Sequence, residues 1–139
     1  MILKVKGSAP SLLILDAGGK TRAEYSLADD GAPKLLMANS AGNACMKLLV
    51  SDDLPSMVMS NPKTKVAGTL GFTQAGDLGL MFLNADQKVR SAMALRAGDD
   101  PLIYVMHPNG SPAAIMGFSG GEGYFSTMTS SGNLEWQNP

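Results

Sequence analysis

The feature that most constrains this chain is a repeat: prolines recur at Pro10, Pro33, Pro55 and Pro101, separated by 23, 22 and twice 23 residues. Self-similarity at such a period marks a tandem array, and missing it would misassign every element. The vacant slot falls on Leu78 and one further step lands on Tyr124, so six units fill the 139 residues. They cover 1–21, 22–44, 45–66, 67–89, 90–112 and 113–139, and read as a single domain with nothing left over for a second.

Each unit has two strokes. The first alternates apolar with polar or small residues, the pattern of a half-buried strand. Its apolar pairs are Leu3 and Val5, Tyr25 and Leu27, Leu48 and Val50, Leu70 and Phe72, Met93 and Leu95, Met116 and Phe118. Between or beside them stand residues such as Glu24, Ser26, Lys47, Gly71, Ala92 and Gly117, which suit a solvated or tightly packed second face. A turn follows, and proline opens the second stroke, where it costs the ladder no hydrogen bond. That stroke sets Leu12 and Ile14, Leu35 and Met37, Met57 and Met59, Leu80 and Phe82, Ile103 and Val105, Ser126 and Met128 on one face.

The turn closing each unit begins with Asp16, Asn39, Asn61, Asn84, His107 or Ser130. Proline follows at Pro62 and Pro108, and glycine stands fourth at Gly19, Gly42 and Gly110. This is the type I β-turn pattern, in which the first side chain bonds the backbone beyond it. The expected fold is all-β, an antiparallel meander of six hairpins and about twelve strands. So many strands cannot stay flat, so the meander is expected to curl into a barrel- or prism-like body, with its core completed by two or three subunits. A β-trefoil is the alternative, since it also holds six hairpins.

The run from Gly31 to Gly42 and the run from Pro10 to Ala23 resemble the hairpin repeats of uncharacterised bacterial proteins, with a pattern near Gly-x-Pro-x-Leu-x-Leu-x-Asp-x-x-Gly-Lys-x-Arg-Ala. The resemblance spans the chain, is sharpest in the first two units, and weakens where Leu78 and Tyr124 replace proline and Thr64 and Gln87 replace glycine. It implies an architecture and no activity.

A second apolar series is the strongest functional clue. On the reverse of the second strands, where water-facing residues are expected, the sequence places Leu13, Leu36, Val58, Met81, Tyr104 and Thr127, with Leu15, Leu83 and Met106 beside them. Such a stripe needs a cover. Hairpins folded back as a second layer, a copy of the chain in a homodimer or homotrimer, or an apolar ligand would each supply one, and the stripe is the candidate oligomer interface. Charged residues are only 17% of the chain, fewer than usual, which agrees with apolar surface awaiting a partner.

Chemistry is hard to find. A net charge of −1 offers no basic field, so nucleic acid is not an expected partner. No apolar run approaches the roughly 18 residues of a membrane-spanning helix, so no membrane partner is expected either. The lone Cys45 and the short apolar start Met1–Lys6 suggest a reducing, cytoplasmic setting. His107 is the only histidine and sits at a turn position held elsewhere by Asp, Asn or Ser, so turn capping explains it without catalysis. The pairs Asp29-Asp30, Asp52-Asp53 and Asp99-Asp100 match no calcium-loop spacing and are what tight turns demand. Gly117–Gly123 is glycine-rich but lacks the Lys-Ser/Thr of a phosphate loop. Tyr104, Tyr124, Phe125 and Trp136 gather in the last units and can cap the array or anchor an interface. No catalytic residue, metal site or cofactor is expected. The reading is a non-catalytic structural or interaction protein, a homo-oligomeric scaffold offering its turns to an unknown protein partner; the alternative is a binding protein for an apolar small molecule.

Overall fold

The computed structural model describes residues 2–6, 9–96 and 98–138, and the side chains of 10–96, 98–118 and 120–138. Leu3 and Val5 therefore lie outside the described side chains. Among the described residues there is no helix, and so none long and apolar enough to cross a membrane. The chain divides into two compact units, Met1–Thr64 and Lys65–Pro139, at a point two residues from the boundary between the third and fourth repeats.

The first unit holds β1 (Ile2–Lys6), β2 (Ala9–Leu15), β3 (Thr21–Leu27), β4 (Pro33–Ala38), β5 (Ala44–Ser51) and β6 (Leu54–Ser60). Each pairs antiparallel with its sequence neighbour. The second unit repeats the plan with β7 (Ala67–Phe72), β8 (Leu78–Leu83), β9 (Val89–Leu95), β10 (Pro101–Met106), β11 (Pro112–Ser119), β12 (Glu122–Met128) and β13 (Leu134–Asn138). The thirteenth strand is one more than the six hairpins require. Within each unit every described pairing joins sequence neighbours, so each meander is open and lacks the non-sequential pairings of a trefoil.

Two turn types explain the period. Eight five-residue turns share one hydrogen-bond pattern; in the turn at Asp16, Gly19 donates to the Asp16 carbonyl and Asp16 to that of Lys20. The fourth residue takes a positive φ, met by glycine at Gly19, Gly31, Gly42, Gly76, Gly110 and Gly132 and by Gln87 and Asp99 in the other two. The expected caps are present: Asp16, Asn39 and Asn84 each accept two backbone N–H bonds on a side-chain oxygen. The tips at Asp52-Asp53 and Gly120-Gly121 are instead two-residue turns with both residues at positive φ.

A two-residue turn shortens its unit by one residue. That is why Pro55 follows Pro33 by 22, and it corrects the sixth repeat. Gly123, opposite Phe118, takes the place that Pro33 holds opposite Leu27, so Tyr124 does not occupy the proline slot. The last closing turn begins at Thr129 and not at Ser130. Phe125 and Thr127 consequently share a face with Met116, while Ser126 and Met128 lie on the reverse.

The connection 61–66 also departs from the rule. Thr64 stands where glycine is usual, Asn61 caps Lys63 and Thr64, and Lys65 takes the positive φ. The division between the two units falls here.

Candidate interaction surface

Residues directly opposite one another in an antiparallel pair share a face, so the registers sort every strand residue. In the first unit one row runs Leu12, Tyr25, Leu35, Leu48, Met57, and the next Ile14, Ala23, Met37, Met46, Met59. The row toward the first turns adds Leu27, Pro33, Val50 and Pro55. In the second unit the equivalent rows are Leu70, Leu80, Met93, Ile103, Met116, Phe125 and Gly68, Phe82, Ser91, Val105, Ala114, Thr127, Trp136. Neither unit places an acidic or basic side chain on these rows.

This is the face that the alternating pattern marks as the interior, and it is the open one. Tyr25 is 56% exposed, Met93 54% and Ile14 50%. Apart from Val66 and Leu134, which flank turns, every large hydrophobic residue that is more than about a third exposed lies on it. Phe125 and Trp136 meet there, ring centroids 5.6 Å apart and tilted by 56°.

The reverse face is closed by its own side chains. Its buried residues are small: Ala67, Ala92, Ser26 and Ser126, with Gly71, Gly79 and Gly117. Larger second-strand residues lie across them. Ala92 sits between Met81 and Tyr104, and a Cβ on Gly117 would stand 3.1 Å from Leu102 and 3.3 Å from the Tyr124 hydroxyl.

The expected stripe falls on this reverse face. Leu13, Leu36, Val58, Met81, Tyr104 and Met106 are all half-buried. In the first unit they do not form a continuous patch, because Glu24 separates Leu13 from Leu36 and Lys47 separates Leu36 from Val58. Ser26 donates to Glu24 at 2.7 Å and Lys34 approaches it at 3.7 Å, so Glu24 is engaged with its neighbours while Lys47 is exposed. Tyr104 and Tyr124 also belong to the reverse face, so the four late aromatic residues form no single cluster.

The chemistry-bearing side chains do structural work. Every closing turn within a unit carries a register shift that leaves one extra residue, Arg22, Cys45, Arg90, Ala113 or Glu135, in a bulge. From there Arg22 reaches Asp16 and the Asn39 carbonyl, and Arg90 donates to the His107 carbonyl at 2.6 Å. The Lys20 N–H bond is the main influence on the Asp16 carboxyl; partial loss of water opposes it and the Arg22 charge reinforces it, leaving the group below its ordinary 3.8. His107 does not cap its own turn: its Nε2 meets the Met128 carbonyl of the next repeat at 2.8 Å, and Asn109 caps Ser111. Cys45 lies within 3.5 Å of the Met37 carbonyl.

Two hollows remain. One of about 440 Å³ lies between the turn tips holding Asp30, Asp52 and Asp53, where Asp30 is occupied in capping Ala32. Among the described residues no group of three or more His, Cys, Asp or Glu is placed to hold a metal ion. The other, about 310 Å³ and almost wholly apolar, lies on the open face of the second unit among Leu70, Leu78, Leu80, Met93, Leu95 and Ile103. The surface that stands out is therefore the uncharged apolar face itself. No protein-family model and no curated protein matches the chain.

Proposed function

We propose that this protein is a non-catalytic structural or interaction protein, a homo-oligomeric β-repeat scaffold that presents its hairpin turns to a partner. One observation carries the reading: the sheet has no core of its own. Ala67 and Ala92 are the only buried apolar side chains among the described residues, and none is more than 98% covered. The chain exposes 9055 Å². A compact monomer of its mass would expose about 6,900 Å², and even two separate compact bodies of half that mass about 8,300 Å². Apolar surface left open on this scale supports association, and a barrel- or prism-like body would be completed by two or three copies.

A structural role also fits the polar residues. Asp16, Asn39, Asn61 and Asn84 are used as turn caps, Arg90 as a link between turns and His107 as a link to the next repeat, which leaves no pair among the described residues arranged as nucleophile and base. With a single thiol and no internal disulfide to form, a cytoplasmic setting is part of the proposal.

Light scattering on the purified chain at micromolar concentration tests the scaffold reading. The expected mass is two or three times 14.5 kDa, and a mass of 14.5 kDa would contradict it. The apolar hollow of the second unit favours a second reading, in which a small apolar molecule binds there. A thermal shift with a hydrophobe library, lost in Leu80→Asp, is its expected signature, and the absence of any shift counts against it.

A further inference from the structure

We infer that the surface joining the copies is the uncharged face of each unit, bearing Tyr25, Met37 and Leu48 in the first and Met93 and Met116 in the second, and that its occupant is another copy of this chain. The inference rests on the scaffold reading and names the interface within it. The half-buried stripe of Leu13, Leu36, Val58, Met81, Tyr104 and Met106 is then intrachain packing.

Area is the first reason. Six strands at about 4.8 Å spacing and about 20 Å length present roughly 600 Å² in the first unit, and seven strands roughly 700 Å² in the second. Laid against the same face of another copy, either unit removes roughly 1,200 to 1,400 Å² of total surface, and both together about 2,600 Å², against the 1,200–2,000 Å² of stable interfaces. A single unit reaches the threshold. Exposed area alone is decisive only on this face: on the reverse one the large side chains already lie over small neighbours.

Charge is the second reason. Copies that meet through one face bring like residues together, so any charged group there is set near its own kind and stripped of water. The open face has none, whereas the reverse face of the first unit carries Glu24, Lys34 and Lys47. Lipid is the competing occupant for an apolar face, but surface-bound elements are rimmed by Lys and Arg that attract anionic headgroups. Here the rim of first turns carries Asp29, Asp30, Asp52, Asp53, Asp99 and Asp100 with Arg96, and Lys20, Lys63, Lys65 and Lys88 stand only on the closing-turn rim, so the face is not ringed by positive charge.

Shape is the third. Two twisted sheets stack about 10 Å apart with interdigitating side chains. Pliant methionines at Met37, Met59, Met93 and Met116 suit a repeat whose units match imperfectly.

The test compares charge placed on each face by light scattering, with far-UV circular dichroism to confirm the β fold. A wild-type multiple of 14.5 kDa that falls to 14.5 kDa when Leu48→Asp and Met93→Asp are combined, one in each unit, but persists in Leu36→Asp, supports the inference. These two positions are already open to water in the single chain, so folding is expected to survive. A multimer that survives the combined variant, or breaks only in Leu36→Asp, overturns the face while leaving the scaffold reading intact. A wild-type chain that is monomeric, or that floats as a monomer with phosphatidylcholine vesicles, overturns both.

Discussion

At Asp16 a single carboxylate closes a turn, holds an arginine in a bulge and so ties one repeat to the next. Because folding lowers its pKa, its contribution to stability is present above the ordinary value of 3.8 and is lost as pH falls through the lowered one. A carboxyl resonance titrating below 3.8 by NMR is the expected result. In Asp16→Asn, which keeps the cap as Asn39 and Asn84 do but loses the charge facing Arg22, that part of the acid sensitivity disappears because the stability the carboxylate adds at pH 7 is already gone. Asp99 tells a complementary story. It holds φ at 63°, where six of the eight equivalent turns place glycine, so relief of backbone strain is expected to make Asp99→Gly more stable by about 1 kcal/mol, measured by urea unfolding at fixed protein concentration.

Residues of this kind were legible from sequence because their signal is local. Asp or Asn at the start of a turn and glycine at its fourth position report backbone geometry directly, and the caps at Asp16, Asn39 and Asn84 form as the pattern requires. His107 was legible as a turn residue only in part. Its backbone holds the turn, but its ring reaches into the next repeat, a contact set by lateral stacking of turns that no single repeat encodes.

Among the elements, strand identity followed from alternation, and the order of pairing from the shortness of every connection. The sixth repeat shows where that failed. Counting a fixed step of 23 residues from Pro101 gives Tyr124, but the two-residue turn at Gly120-Gly121 removes a residue and inverts the faces of Phe125, Ser126, Thr127 and Met128. A period-two strand turns a one-residue error into a complete exchange of faces. Third-unit spacing held the clue, since Pro55 follows Pro33 by only 22 and its tip is the comparable Asp52-Asp53 pair.

The reverse face depends on small first-strand residues beneath large second-strand ones. A methyl on Gly117 would lie 3.0 Å from the Pro101 carbonyl as well as against Leu102 and Tyr124, so Gly117→Ala is expected to cost about 1–3 kcal/mol by denaturant unfolding. Links between turns should matter less. Arg90→Ala removes the bond to the His107 carbonyl, with an expected loss of about 1 kcal/mol. Equal stability for the wild type and Gly117→Ala would show that this face is looser than the side-chain layering implies.

For the molecule as a whole, alternation separates two faces but does not say which of them water sees. The second-strand stripe drew attention because it interrupts an expected polar face. The stronger signal was the absence of acidic and basic residues from the opposite rows, together with Ala92, Gly71, Gly79, Gly117 and Ser26 on the stripe's own face, which are small enough to be covered by it. If copies of the chain cover these apolar rows, as proposed, the unfolding midpoint rises with protein concentration.

Methionine oxidation read by mass spectrometry tests the central claim most directly, since thioethers stand on both faces. In the isolated chain Met37, Met59, Met93 and Met116 are 42–54% exposed, while Met81 and Met106 are half-buried. If copies meet through the uncharged face, the first four are protected in the native protein and oxidise more slowly than Met81 and Met106. Oxidation of those four ahead of Met81 and Met106 in the native protein would show that the face is open to water, and would contradict the account.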